Sequence, residues 1–137
     1  MTRVLFMTGT LAPGAGTPLL TRAALADRIA DYRAALAFNL SVLEAGGVDR
    51  LVFVENSGHG MAPFADLLAA SPAAARVELV SYAAPPVGPD GSRLAAEFEL
   101  MREALVRART LREAPEGATI WKITGRYLWR NVAATVA

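Results

Sequence analysis

Two short stretches of this chain are apolar at every position, residues 4–7 and residues 51–54. Unbroken apolar runs of this length are typical of strands that are buried on both faces, as in a parallel sheet. Neighbouring parallel strands need a long crossover connection, which is usually a helix. Residues 22–45 lie between the two runs and have helical periodicity, so the sequence predicts a β-α-β unit near its start.

Two further strands are predicted. Residues 76–82 alternate in polarity, which indicates an edge strand. Residues 118–123 contain β-favouring side chains such as Ile120 and Trp121. Helices are expected over residues 63–70 and 93–112, so that strands and helices alternate along the chain.

Two of the predicted helices carry an apolar stripe at steps of three or four residues. In the first helix the stripe consists of Leu25, Ile29, Tyr32, Leu36, Leu40 and Leu43. In the last helix it consists of Leu94, Phe98, Met101, Leu105 and Ala108. We expect both stripes to face the sheet.

Right-handed crossovers turn this order of elements into a three-layer, Rossmann-like α/β fold with helices on both faces of a mostly parallel sheet. The expected strand order is 3-2-1-4, which places the alternating third strand at an edge. The order reverses between strands one and four, and ligands of open α/β sheets bind at such a point. The residues predicted there are Thr8, Gly9, Thr10, Thr124, Gly125 and Arg126.

The composition narrows the classes of function. The 137 residues include 14 basic and 13 acidic side chains and no cysteine. This balance gives no electrostatic basis for binding nucleic acid, and the missing thiols exclude disulfides and thiolate sites. No apolar run approaches the ~20 residues of a membrane span, so we expect a cytoplasmic protein.

The segment Thr8-Gly9-Thr10 and the loop after it allow two interpretations. Small residues let backbone N–H groups approach a phosphate closely. The loop lacks the lysine of a Walker motif and the glycine spacing of a dinucleotide fingerprint, so an ordinary surface loop fits as well.

Lys122 and Arg126 flank the end of the fourth predicted strand. An arginine at the point of reversal has the planar geometry to grip a phosphate. A lysine that extends from the strand to water and an ordinary surface arginine are the alternative.

Glu55 and Asn56 end the second predicted strand, where they would either hydrogen-bond a ribose or base or close a turn. His59, the one histidine, stands between two glycines and is expected in an exposed turn. Trp121, Tyr127 and Trp129 are close in sequence, and packing in the core is favoured over stacking on a ligand. No acidic pair has a spacing suited to acid–base catalysis, so the catalytic residues stay unassigned.

The segment Lys122-Ile123-Thr124-Gly125-Arg126-Tyr127 resembles the Lys-x-Thr-Gly-Arg-Tyr segment of bacterial glycosyltransferases with the GT-A, nucleotide-diphospho-sugar transferase fold. Arg28-Ile29-Ala30-Asp31-Tyr32 is similar to the Arg-x-x-Asp-Tyr of that group, and Glu55-Asn56-Ser57-Gly58 to its Glu-Asn-Ser. Residues 91–97 stand in place of its Gly-Lys-Gly-x-Gly-Glu, with Glu97 matching but Leu94, Ala95 and Ala96 departing from it.

The resemblance implies transfer of a sugar from a nucleotide-diphospho-sugar to an acceptor hydroxyl, as in surface polysaccharide synthesis. It implies that Thr8 and Thr10 contact the nucleotide and that Glu55 and Asn56 frame the site. Lys122 and Arg126 would hold the diphosphate, where charge develops on the leaving group.

GT-A enzymes usually hold Mg²⁺ or Mn²⁺ through an Asp-x-Asp motif, which this sequence lacks. Residues 1–137 are therefore expected to form a single nucleotide-sugar-binding domain that is incomplete at its carboxyl end, with no metal site or cofactor of its own. Mg²⁺ or Mn²⁺ would be needed only if a further segment supplied the motif. Two alternatives stay open: a flavodoxin-like flavin-binding electron-transfer module, and a non-catalytic interaction domain that self-associates or binds a partner chain.

Overall fold

The computed structural model describes residues 1–14, 24–85 and 92–136. The strands are β1 (Arg3–Gly9), β2 (Arg50–Glu55), β3 (Val77–Ser81) and β4 (Thr119–Thr124). The helices are α1 (Leu25–Glu44), α2 (Ala65–Ala70), α3 (Arg93–Arg107), α4 (Arg109–Arg112) and α5 (Val132–Val136), with short 3-10 turns at Ala62–Phe64 and Ala74–Arg76. Residues 22 and 23 of the first predicted helix, and residue 91 of the glycosyltransferase-like segment, lie outside the described residues.

The four strands form one parallel sheet in the order β3-β2-β1-β4. This confirms the predicted α/β fold and its strand order. The two uniformly apolar runs are the central strands β1 and β2, whose residues are almost all buried, whereas β3 and β4 are half-buried edges. Because β1 lies between β2 and β4, its carboxyl end is the point at which the strand order reverses.

Successive residues of the central strands point to opposite faces, and each face has its own core. On one face Leu5, Met7 and Phe53 pack with the α1 side chains Tyr32 and Leu36. Of the predicted stripe of α1, Tyr32, Leu36, Leu40 and Leu43 are buried, Ile29 is half-buried, and Leu25 is largely exposed. The first helix therefore docks through the last four of its six predicted positions.

On the other face the predicted stripe of the last helix is wrong in most positions. Leu94, Phe98 and Leu105 are exposed, Phe98 by 60%, while Met101 is half-buried. Ala108 is buried as predicted, and the other buried contacts with the sheet come from Leu100, Ala104 and Leu111. Both sets have helical spacing, and the small side chains of the second set let the helix approach the sheet closely.

The last predicted helix is also divided in two. It leaves helical geometry at Ala108 (φ −79°, ψ 114°), and α4 begins at the next residue. The carboxylate of Glu78, on β3, accepts hydrogen bonds from the backbone N–H groups of Arg109 (2.8 Å) and Thr110 (2.7 Å). Burial opposes ionisation of Glu78, but the bonds from Thr110 and Arg109 bring its pKa below the ordinary value. A cap from a distant strand thus starts the second helix.

Candidate functional site

The carboxyl ends of β1 and β4 lie side by side. Thr8 is in register with Thr124, and the backbone N–H of Gly125 donates to the carbonyl of Thr8 at 2.7 Å. The predicted residues Thr8, Gly9, Thr124, Gly125 and Arg126 are thereby brought to one end of the sheet. We call this region the β1–β4 crevice.

Gly9 and Gly125 both lie close to the ring of Tyr32, so a side chain at either position would crowd it. A Cβ at Gly9 would lie 2.7 Å from Cε1 of Tyr32 and 2.8 Å from the ring of Phe53. A Cβ at Gly125 would lie 2.7 Å from the carbonyl oxygen of Thr8 and 3.1 Å from Cε1 of Tyr32. Neither position accepts a side chain without a shift of its neighbours. The two glycines allow the tyrosine to form the floor between the strand ends.

The hydroxyl of Tyr32 is tied to the loop after β1, because it accepts a hydrogen bond from the backbone N–H of Thr10 at 3.0 Å. Burial raises the pKa of Tyr32, while the bond from Thr10 and the positive charges of Arg28 and Arg126 oppose that rise. Both positive charges favour the ionised form of this hydroxyl. The sequence places Tyr32 in the apolar stripe of the first helix and in the Arg-x-x-Asp-Tyr resemblance, and neither predicts this hydrogen bond.

Arg28 fixes the same loop from the first turns of α1. It is buried, and its Nε donates to the carbonyl oxygens of Thr10 at 3.1 Å and Leu11 at 3.2 Å. Backbone carbonyls just beyond a central strand need donors, and a guanidinium supplies several in one plane. The sequence offered one signal for this role, a charged residue at the edge of the apolar stripe.

On the α3 side of the crevice, Lys122 forms an ion pair with Oε1 of Glu97. The same oxygen accepts a hydrogen bond from Oγ1 of Thr8 at 3.1 Å. Thr8 is only 2% exposed, and its hydroxyl also lies 3.4 Å from the carbonyl oxygen of Ile123. Lys122, Glu97 and Thr8 thus join β4, α3 and β1 in one polar cluster.

Arg126 follows the strand end and is half-buried. Its guanidinium lies 5.9 Å from the ring centre of Tyr127, and no carboxylate among the described residues forms an ion pair with it. A cation held near other donors without a partner carboxylate is suited to receive an anion.

Glu55 is brought to the end of β2 but not to the surface of the crevice. It is fully buried. Its Oε1 accepts from the backbone N–H groups of Ser57 (2.6 Å) and Leu11 (3.3 Å) and from the Ser57 hydroxyl, and its Oε2 accepts from the Ser81 hydroxyl at 2.7 Å. The carboxylate therefore holds the loops after β1 and β2 together by hydrogen bonds and also bonds to β3.

Asn56 is placed nearer the crevice than Glu55. Its Oδ1 accepts a hydrogen bond from Oγ1 of Thr10 at 2.6 Å, and its backbone N–H donates to the carbonyl of Gly9 at 3.0 Å. The half-buried side chain therefore links the ends of β1 and β2. Thr10 and Asn56 are therefore hydrogen-bonded to each other at the rim of the crevice.

His59 and the aromatic residues near the end of β4 are the other residues singled out in the sequence. His59 is exposed between two left-handed glycines, as predicted. Trp121 and Trp129 pack with ring centres 5.8 Å apart beside the α1-side core, whereas Tyr127 is 65% exposed and does not join them.

Within residues 1–14, 24–85 and 92–136, no three His, Cys, Asp or Glu side chains are grouped so as to hold a metal ion. Over the same residues no helix has both the length and the apolar character to cross a membrane.

No protein-family model, no curated protein and no solved structure matches the chain. Function therefore has to be inferred from the side chains that the fold brings together. In the β1–β4 crevice these are the cations Lys122 and Arg126 and the hydroxyls of Thr8 and Thr10, donors of the kind that bind phosphate.

Proposed function

We propose that the β1–β4 crevice binds the diphosphate of a nucleotide-sugar and that the chain is the donor-binding part of a glycosyltransferase. Arg126 is the observation that carries the proposal. It stands at the point where the strand order reverses, close to Thr8, Gly125 and Tyr32, with no carboxylate partner among the residues described. Such a cation would stabilise the charge that develops on a leaving nucleoside diphosphate.

Lys122 supports the same assignment from the other face of the sheet. It lies on β4 four positions before Arg126 and pairs with Glu97 on the α3 side of the crevice. Thr8 and Thr10 would contact the nucleotide, and Asn56 would frame its site. The reaction would transfer the sugar to an acceptor hydroxyl in the cytoplasm, as in surface polysaccharide synthesis, with a divalent cation needed only if an Asp-x-Asp segment is supplied.

The test compares Arg126→Ala with Arg130→Ala by calorimetric titration with uridine, guanosine and cytidine diphosphates. Arg130 is exposed in the following turn and serves as the matched loss of one positive charge. A lost hydrogen-bonded phosphate contact is worth about 1.5–3 kcal/mol, so Arg126→Ala should weaken binding at least about tenfold. Arg130→Ala should change the affinity by less than about twofold, because an exposed charge is screened by salt.

Equal effects of the two substitutions would remove Arg126 from the site. Binding of none of the three diphosphates by the native chain would end the proposal. Nucleotide-sugar hydrolysis provides the second measurement, and we expect no turnover by this chain alone. Rapid turnover would show that this chain holds catalytic groups as well as a donor site.

The alternative of an interaction domain is favoured by a separate observation. Leu94, Phe98 and Leu105 form an exposed apolar side of α3, next to the sheet-facing residues of the same helix. Analytical ultracentrifugation of the native chain and Phe98→Ser checks this alternative, which predicts self-association that the substitution weakens. The flavodoxin-like alternative predicts a yellow complex with flavin mononucleotide, and no contact in the described structure favours it over a diphosphate.

A further inference from the structure

Glu97 places one carboxylate oxygen where two donors of the crevice converge. The donors are the hydroxyl of Thr8, 3.1 Å away, and the ammonium of Lys122. Thr8 is buried in the last part of β1, and Lys122 is fixed to β4, so both donors are held by the sheet. A hydroxyl and an ammonium that point at one oxygen also make a suitable arrangement for a phosphate oxygen.

Glu97 itself reaches this position from outside the sheet. It lies near the start of α3, one turn before Leu100, and continues the face of the helix that packs on the strands. Its side chain is 39% exposed, in contrast to that of Thr8. The carboxylate therefore has solvent next to it, while Thr8 is buried beneath it.

We propose that Glu97 is an internal occupant of an oxyanion subsite and that a phosphate group of the ligand displaces it from Thr8 and Lys122. This inference rests on the proposed function, because it specifies how the same crevice takes a diphosphate. The ligand class is a phosphate that carries more than one negative charge.

The resident carboxylate gives the subsite selectivity for charge. A singly charged ligand gains little by replacing a carboxylate that is already attached to the protein and needs no ordering of a free molecule. A diphosphate brings greater charge and a second phosphate for Arg126, so it displaces Glu97 where acetate or chloride does not. Glu97 thus lowers the affinity of the subsite for every anion. Anions that bind weakly then no longer occupy it.

The test is a calorimetric titration of inorganic pyrophosphate into the native chain, Glu97→Gln and Glu99→Gln. The amide of Glu97→Gln has no charge with which to hold Lys122. A unit charge about 4 Å away is worth several kcal/mol at a protein surface before screening, and this pair is partly exposed, so we expect about tenfold tighter binding. Glu99→Gln removes the same charge from the same helix, where Glu99 pairs with Arg102 instead, and should change binding less than about twofold.

Lys122→Met provides the second arm. If Glu97 acts mainly by occupying the ammonium, Glu97→Gln should give a smaller gain in a chain that already carries Lys122→Met, as in a double-mutant cycle for a direct pair. The gain that is left comes from the Thr8 hydroxyl and from the repulsion between the carboxylate and pyrophosphate. Glu97→Asp, which shortens the side chain while keeping its charge, should shift the affinity in the same direction as Glu97→Gln by a smaller factor. Circular dichroism of each variant establishes that the sheet is intact.

Weaker or unchanged pyrophosphate binding by Glu97→Gln would overturn the proposal, since it would make Glu97 a residue that orients Lys122 for the ligand. Absence of pyrophosphate binding by both chains would overturn it as well. Tighter pyrophosphate binding by Glu97→Gln, together with no added affinity for any nucleotide-sugar, would retain the subsite and defeat the glycosyltransferase proposal. The two failures are therefore distinguishable.

Discussion

Two carboxylates at the same end of the sheet have opposite surroundings. Glu55, between β1 and β2, is fully buried and accepts four hydrogen bonds from two neighbouring loops and a strand. Glu97, beside β1 and β4, is partly exposed and holds one hydroxyl and one ammonium. Glu55 belongs to the framework of the fold, whereas Glu97 rests on groups that a ligand would use.

The same contrast extends to the two halves of the strand ends. On the β1–β2 side, Arg28, Glu55 and Asn56 bond to nearby backbone and hydroxyl groups. On the β1–β4 side, Lys122 has a single partner and Arg126 has no carboxylate partner in the described part of the chain. A polar residue after a parallel strand is thus a candidate for ligand binding only where some of its hydrogen-bonding groups have no partner within the protein.

The largest expected effect separates the two carboxylates directly. Glu55→Ala leaves the three donors to Oε1 without an acceptor at a buried or partly buried position. The free energy of unfolding should therefore fall by about 3 kcal/mol. Glu97→Ala should cost less than about 1 kcal/mol, as is usual for a partly exposed ion pair. Urea denaturation followed by circular dichroism measures both.

Glu55→Gln refines the same comparison. Its amide oxygen can take the place of Oε1, and its amide nitrogen can donate to the Ser81 hydroxyl in place of Oε2. We therefore expect a smaller loss than for Glu55→Ala, about 1 kcal/mol. Similar costs for Glu55→Ala and Glu97→Ala would contradict the division into framework and ligand-facing carboxylates.

An effect smaller than that of Glu55→Ala is expected at the floor of the crevice. Gly125→Ala places a methyl group 2.7 Å from the carbonyl oxygen of Thr8 and 3.1 Å from the ring of Tyr32. Crowding of this kind costs about 1–3 kcal/mol, and we expect about 2 kcal/mol in urea denaturation. Gly14→Ala is the control, since no non-neighbouring residue of the described ranges lies within 4 Å of the added methyl group. A Gly125→Ala chain as stable as Gly14→Ala would show that the strand ends are not closely packed on Tyr32.

The elements of the sheet were predictable because their signals are local. Residues 4–7 and 51–54 are uniformly apolar, and this alone indicates that β1 and β2 are central. The alternating polarity of residues 76–82 favours an edge position for the third strand, and placing the fourth strand beside the first then gives the order 3-2-1-4. The convergence of Thr8, Gly125 and Arg126 follows from that order and needs no side-chain detail.

The contacts of α3 and of the two carboxylates were not predictable in the same way. Leu94, Phe98 and Leu105 form the larger apolar stripe, yet they are exposed, and Leu100 and Ala104 are buried against the sheet instead. Glu97 reaches Thr8 across 89 positions of sequence, and Glu55 reaches Ser81 across 26. Such pairings depend on the packed structure and leave no spacing pattern in the sequence.

The smallest expected effect concerns the hydroxyl that joins the two halves of the strand ends. Tyr32→Phe removes the acceptor for the N–H of Thr10 and should cost about 1 kcal/mol near neutral pH. Because burial raises the pKa of Tyr32 above its ordinary value of 10.0, the folded chain holds this proton more tightly than the unfolded chain does. The resulting stability is complete below pH 10 and is lost as the pH rises through the pKa of the folded state.

The native chain should therefore lose free energy of unfolding more steeply above pH 10 than Tyr32→Phe does, and the gap between them should narrow there. Tyr127→Phe, at an exposed ring, is the control and should follow the native chain. Parallel curves for the native chain and Tyr32→Phe up to the alkaline limit of folding would mean that water reaches the Tyr32 hydroxyl. The floor of the crevice would then be accessible to water. The ring of Tyr32 could not separate the β1–β2 side of the strand ends from the β1–β4 side.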